Sequence, residues 1–239
     1  MNEHHIQFSR PPLVETGLNV TLDAPALTED SIQAVVSEIL PDVGLPMRMK
    51  ERDSNNWIGC RYQFAENRFL TLQNVPSSSF ILFSYSVTPA YKSWETFVTP
   101  ARDALMRAVK SLRVRSVPGI GVRTINKIVP PPREGLSVQN FLKAGFPDVA
   151  DLPKAGIMEF YLRDTSFYSS YGLYVRTIRT TQPTGANRPP DIIFDTDVFS
   201  AKPLQADLQG LDDLLARIRE VRYKVFLGGV SDDYLEGCK

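Results

Sequence analysis

The chain has 239 residues, with 27 Lys and Arg balanced by 27 Asp and Glu, 43% hydrophobic residues and 10% aromatic residues. This apolar content is too high for a disordered chain, and the length suits one large domain or two small ones with a real core. A net charge of zero argues against a dedicated polybasic nucleic-acid or membrane binder. It leaves room for a basic surface confined to part of the chain.

The residues that most often carry redox, metal or acid–base chemistry are scarce. Cys60 and Cys238 are too few for a disulfide framework or a four-cysteine zinc site. His4 and His5 are the only histidines, and they lie next to each other near the N-terminus. Catalytic Ser-His-Asp and Cys-His arrangements therefore lack material. The sequence predicts no cofactor and identifies no catalytic residue.

Targeting signals are not evident in the sequence. The first residues lack the basic and apolar regions of a signal peptide, and no stretch reaches the about 18 apolar residues that span a bilayer. We therefore expect a cytoplasmic protein with no membrane partner.

A strand and a helix are predicted first along the chain. Residues 13–22 alternate apolar and polar side chains, which is typical of a half-buried strand. Thr28 is a suitable N-cap for the helix that follows, whose apolar residues recur at helical spacing until Pro41.

Further strands and a second helix complete the predicted first half. Three strands joined by tight turns are predicted at 57–65, 68–74 and 79–88. Ser93 is a suitable N-cap for the next helix, which extends to Leu112, and Pro100 within it predicts a kink or a later start. A long strand is predicted at 114–129.

The run Pro130-Pro131-Pro132 is the best candidate boundary, and it divides the chain into predicted halves 1–130 and 131–239. Predicted elements of the second half are a short helix at 137–144, strands at 156–163, 171–181 and 190–199, and a helix at 205–226. A final turn begins at Ser231. The predicted fold class is α+β, with each half a mainly antiparallel sheet packed with helices, whether or not the halves form one body.

Four segments together carry a family resemblance: Pro11 to Glu15, Gly121 to Ile128, Phe194 to Phe199, and Val221 to Phe226 leading into Ser231-Asp232. In order and spacing they resemble a sporadically distributed prokaryotic family of uncharacterised proteins with an N-terminal PPLVE-like strand and a central GLRYIN-like strand. This chain departs from that pattern at Val122, Thr124 and Gly228-Gly229-Val230. The resemblance implies a bacterial or archaeal protein from mobile or defence-associated loci, and it supplies no catalytic residues.

Basic residues concentrate in the middle of the chain. Segment 102–133 contains eight Lys and Arg residues against Asp103 alone, whereas segment 11–47 contains six acids and no base. The residues that would bind nucleic acid or another anion are Arg113, Arg115, Arg123 and Lys127. The alternatives are that this segment pairs inside the fold with the acidic N-terminal segment 11–47 or faces water.

Aromatic residues concentrate between Phe160 and Tyr174. Strand pairing buries about half of such residues, and the others can form a contact patch because Tyr is favoured at interfaces. The interaction residues proposed on this basis are Tyr168, Tyr171 and Tyr174, with Ser166 placed in the turn beside them. Core packing plus a turn is the alternative.

Carboxylates are the remaining material for metal chemistry. Asp191, Asp195 and Asp197 have odd numbers on one predicted strand, so their side chains share a face and could hold Mg²⁺. A solvated sheet face explains the same pattern.

Three functions are therefore carried forward. The first is a non-catalytic interaction or sensor subunit of a prokaryotic system such as phage defence, with a protein partner or a homo-oligomer. The second is a nucleic-acid-binding protein that uses segment 102–133. The third is a metal-dependent phosphate-processing enzyme that uses the three aspartates.

Overall fold

A single antiparallel sheet organises the described part of the chain. The computed structural model describes residues 12–40, 46–51, 56–88, 93–130, 141–143, 160–184 and 190–238. Strands β1 to β10 are Leu13–Asp23, Pro46–Lys50, Trp57–Ala65, Arg68–Asn74, Phe80–Val87, Ser116–Ile128, Tyr161–Tyr168, Leu173–Gln182, Asp191–Ser200 and Leu204–Gln205. Helices α1 to α4 are Glu29–Ile39, Trp94–Ser111, Leu211–Gly229 and Asp232–Cys238.

The strand order is β2-β3-β4-β5-β1-β6-β9-β8-β7, and the short strand β10 also pairs with β6. The predicted α+β class is confirmed. The pairing of β6 with β9 carries the sheet across the predicted boundary between 1–130 and 131–239. Because residues 131–140 lie outside the described residues, the division into two halves stays a prediction.

The two faces of the sheet differ in what covers them. On one face, which we call the helix face, Leu18, Val122 and Val198 are fully buried in a cluster with apolar residues of α1, α2 and α3. A smaller cluster on this face joins Phe194 to Leu235 of α4. The opposite face, called the open face, has no helix packed on it among the residues that the structure describes.

Local sequence signals explain why the first two helices begin where they do. Thr28 caps α1 by accepting a hydrogen bond from the Ser31 N–H at 3.1 Å, and Ser93 caps α2 by accepting from the Thr96 N–H at 3.2 Å. Both capping predictions are confirmed, since each cap satisfies an N–H with no partner inside the helix. A later start for α2 is wrong, because the helix begins at Trp94 and contains Pro100.

The last long helix begins later than predicted. It starts at Leu211 rather than at 205, because Leu208 and Gly210 have positive φ angles of 55° and 81° that interrupt helical geometry. The segment before them forms β10 against β6, which was not predicted. Sequence periodicity could not reveal this break because Leu208 fits the helical apolar stripe.

The aromatic strand also differs from its prediction. Strand β7 spans Tyr161–Tyr168, whereas the predicted strand at 156–163 begins on residues outside the described part. Ser166 lies within β7 and not in the turn, which follows at residues 169–172. Most of the predicted helix at 137–144 also lies outside the described residues, and Leu142 within it forms an isolated bridge to Val230. Strand β2 was not predicted from the sequence.

Candidate functional site

An exposed row of aromatic rings crosses the open face at one end of the sheet. The strand register places Phe167 opposite Tyr174 and Tyr174 opposite Phe199. Their ring centroids are 4.9 and 5.4 Å apart, and the Arg176 guanidinium lies 5.4 Å from the Phe199 centroid. Phe167 and Tyr174 are 54% and 38% exposed. We call Phe167, Tyr174 and Phe199 the aromatic row.

The aromatic row reaches β7, the last strand in the sheet order. The Thr181 N–H donates to the Phe160 carbonyl at 3.3 Å. This hydrogen bond shows that the even-numbered residues of β7 direct their backbone N–H and C=O groups towards β8. The direction of the backbone N–H and C=O groups alternates from residue to residue along an antiparallel strand. The groups of Arg163, Thr165 and Phe167 therefore point away from β8. No described strand pairs with them on that side.

The predicted basic residues on β6 are paired with the predicted carboxylates on β9. Arg123 donates from Nε to Asp195 Oδ1 at 2.9 Å and from Nη2 to Oδ2 at 2.6 Å. Lys127 Nζ lies 2.7 Å from Asp191 Oδ2. The two rows therefore neutralise each other on adjacent strands, and the acids that pair with Arg123 and Lys127 come from the second half of the chain.

The third carboxylate of the row is less closely paired. Arg176 Nη1 lies 4.0 Å from Asp197 Oδ2. Burial raises the pKa of the Asp197 carboxyl, in opposition to the nearby Arg176 charge. The hydrogen bond to Asp195 raises the pKa of the Arg123 guanidinium, so this cation stays charged. The open face beside the aromatic row is thus a network of opposite charges.

The remaining two predicted anion-binding residues lie apart from this network. Arg113 follows α2 in a left-handed conformation, with φ of 50°, and the N–H groups of Arg113 and Val114 donate to Lys110 and Val109 in the Schellman pattern. The Arg115 side chain donates to Asp23 at the end of β1. The structure therefore does not bring the four basic residues into one row.

The three aspartates share the open face, as their odd numbering predicts, but they do not converge. Residues four apart on a strand are separated by about 13 Å, so Asp191 and Asp195 cannot bind one ion together. Among the residues that the structure describes, no three His, Cys, Asp or Glu side chains are grouped to hold a metal ion.

The three predicted interaction tyrosines divide between the two faces. Tyr174 belongs to the aromatic row, whereas Tyr168 and Tyr171 line a cleft of about 380 Å³ between the helix face and α3. The Tyr171 hydroxyl donates to Glu220 Oε1 at 2.8 Å, and Lys224 Nζ donates to the same oxygen at 2.6 Å. The hydrogen bond from Lys224 holds the pKa of Glu220 below its usual value.

A row of buried threonines on the helix face was not predicted from the sequence. The register aligns Thr16, Thr124, Thr196 and Thr177 on four adjacent strands, and the row ends at Asp164 on β7. All four threonines are at most 5% exposed. The alternation within β1 places Thr16 on the buried face, but the row depends on strand order, which no single segment specifies.

Comparison with models of known protein families gives no match, and neither does comparison with the curated proteins. None of the described helices is long and apolar enough to cross a membrane.

Proposed function

We propose that this chain is a non-catalytic interaction subunit that binds another protein chain at the β7 end of the sheet. One observation carries the proposal: the Phe167 and Tyr174 rings pack against each other, with centroids 4.9 Å apart, and remain exposed beside a strand edge that has no described partner. An exposed aromatic cluster supplies apolar area and ring stacking, and a strand edge supplies directed backbone hydrogen bonds. Both features are used in protein–protein recognition.

The charge arrangement favours this function over nucleic-acid binding. A protein that binds nucleic acid displaces counterions from phosphates with cations that are available to do so. Arg123 and Lys127 are instead held by Asp195 and Asp191, and Arg115 is held by Asp23. The same pairs disfavour phosphate chemistry at the aspartates, because a bound Mg²⁺ would have to displace a lysine and an arginine.

The biological setting is the part of the proposal that rests on the sequence. The family resemblance supports a sensor or partner role in a prokaryotic system such as phage defence, together with a cytoplasmic location. In terms of the two proposed halves, 131–239 supplies the contact surface on β7 and β8, and 1–130 supplies the other end of the sheet.

Site-specific photo-crosslinking in the native host cell tests the proposed function. Benzoylphenylalanine is placed at Tyr174, at Phe167 or, as the control, at Met106, which is 55% exposed on α2. We expect a discrete protein adduct, either a second copy or another chain, from Tyr174 and Phe167 and none from Met106. No adduct from either row position, or equal adducts from all three, would overturn the proposal. Adducts to nucleic acid from the row would support the second function instead.

A further inference from the structure

The two edges of the sheet are built differently. Strand β2 at one edge is five residues long, and it carries Pro46, Arg48 and Lys50, which are residues that block edge-to-edge pairing. Strand β7 at the other edge is eight residues long and contains no proline, no lysine and no irregularity in its pairing with β8. The edge at β7 carries Arg163 and Asp164 but neither proline nor lysine, so it is less protected against a further strand than the edge at β2.

We propose that a second copy of this chain occupies that edge, with β7 pairing antiparallel to β7 about a two-fold axis at Thr165. This inference rests on the proposed function and specifies its partner. Two-fold pairing of one strand with itself is the simplest way to close a sheet edge in a homodimer. The sheet would then continue without interruption from one copy into the other.

Backbone geometry restricts the position of the axis. The outward N–H and C=O groups belong to the odd-numbered residues Arg163, Thr165 and Phe167, so odd residues must face odd residues across the new pair. An axis that keeps about seven residues of β7 paired must therefore lie at residue 164 or 165.

Charge then selects one of these two positions. An axis at Asp164 places this aspartate opposite its own copy. Like charges directly opposite each other destabilise strand pairing. An axis at Thr165 places Thr165 opposite Thr165 and Asp164 opposite Ser166 of the second copy, with no like charges in register.

The same register gives each exposed side chain a suitable neighbour. Arg163 faces Phe167 of the second copy on the open face, where arginine–aromatic contacts already occur: Arg61 lies 4.1 Å from the Phe69 centroid. Leu162 faces Tyr168 of the second copy on the other side. The pairing thus covers Phe167 and Tyr168, which are 54% and 41% exposed in the single chain.

Two measurements on the full-length protein test this inference. In sedimentation equilibrium, Thr165→Lys should raise the dissociation constant of the dimer at least tenfold, because it sets two lysines opposite each other at the axis. The control Thr21→Lys makes the same change on the open face of β1 and should leave the constant within twofold. A wild-type protein that stays monomeric up to the highest accessible concentration would overturn the inference.

Single cysteines report the register. In a Cys238→Ser background, only Thr165→Cys should form a disulfide-linked dimer, because only at the axis do two copies of one residue lie about 5.5 Å apart. Arg163→Cys or Asp164→Cys that cross-links as well or better would overturn the proposed axis. A monomer here, together with a different protein cross-linked to Tyr174, would overturn self-pairing and leave the proposed function standing. A monomer with no adduct would overturn both.

Discussion

Arg123 and Asp195 form a two-pronged ion pair that ties β6 to β9 across the open face, at 2.9 and 2.6 Å. The two partners differ in exposure, since the Asp195 side chain is 10% exposed and that of Arg123 is 49%. Arg123→Met would leave a largely buried carboxylate with no partner of this quality, and we expect a loss of about 1–3 kcal/mol in the free energy of unfolding. Urea denaturation monitored by circular dichroism measures it.

A double-mutant cycle isolates the interaction energy between Arg123 and Asp195 from their interactions with other residues. With Asp195→Asn as the second change, the coupling energy should be about 1–2 kcal/mol. The matched control is Arg115→Met, whose pair with Asp23 is more exposed, with side chains 64% and 23% exposed, and should lose less than about 1 kcal/mol. Equal losses for the two arginines would contradict a special role for the pair on β6 and β9.

The pH dependence of stability should report Asp197. Burial raises the pKa of this carboxyl in the folded chain, so the folded state binds the proton more tightly than the unfolded state does. Stability attributable to Asp197 is therefore highest below its ordinary pKa and is lost as pH rises through the raised value. Asp197→Asn should consequently stabilise the protein at pH 7, and this gain should vanish near pH 3.

Urea denaturation of both proteins between pH 3 and 7 provides the measurement. Asp213→Asn, on the exposed N-terminal turn of α3, serves as the comparison and should show no such gain at pH 7, because Asp213 lies where the helix dipole favours a negative charge. A stabilisation by Asp197→Asn that is constant across the whole range would show that the carboxyl does not titrate differently in the two states.

Local signals in the sequence were sufficient for the helix caps and for the face on which each strand residue lies. Thr28 and Ser93 were predicted because an N-cap depends on residues within one turn. The shared face of Asp191, Asp195 and Asp197 follows from odd numbering alone. These features require no knowledge of distant parts of the chain.

The charge pairing of the site could not be obtained in that way. The register that sets Arg123 beside Asp197 and Asp195 joins strands about 70 residues apart, and it is determined by which strands pack next to each other. Pairing of the basic segment with the acidic N-terminal one was an alternative that the sequence left open. Among the described residues of the two segments, only Arg115 forms such an ion pair, with Asp23.

The buried threonine row makes a prediction about hydroxyl groups. The Thr196 hydroxyl is buried and has no hydrogen-bond partner, whereas the Thr177 hydroxyl donates to Asp164. Replacing an unsatisfied buried hydroxyl by a methyl group removes a desolvation cost, so Thr196→Val should raise the free energy of unfolding by about 1 kcal/mol. Thr177→Val should lower it by about 1–2 kcal/mol because Asp164 loses a donor.

Thermal or urea unfolding of the two valine variants gives the comparison directly, since the chemical change is identical and both sites are buried. Destabilisation by Thr196→Val would mean that its hydroxyl has a partner, such as an ordered water, that the protein chain does not supply. The sign of the stability change in Thr196→Val therefore decides whether the buried Thr196 hydroxyl lacks a hydrogen-bond partner.

Gly121 tests how closely β6 and β9 approach each other at Phe199 of the aromatic row, and Gly228 serves as the control. A Cβ at Gly121 would lie 2.6 Å from Phe199 Cβ and 2.8 Å from the Val198 carbonyl oxygen, whereas one at Gly228 in α3 would meet nothing within 4 Å. Gly121→Ala should therefore cost about 2 kcal/mol or more, and Gly228→Ala should stabilise the protein by about 0.5–1 kcal/mol through helix propensity. Phe199 belongs to the aromatic row, so a Cβ at Gly121 that displaces it should also change the near-ultraviolet circular dichroism of the folded protein. A Gly121→Ala variant as stable as wild type, with an unchanged spectrum, would show that β6 and β9 are not held at this distance.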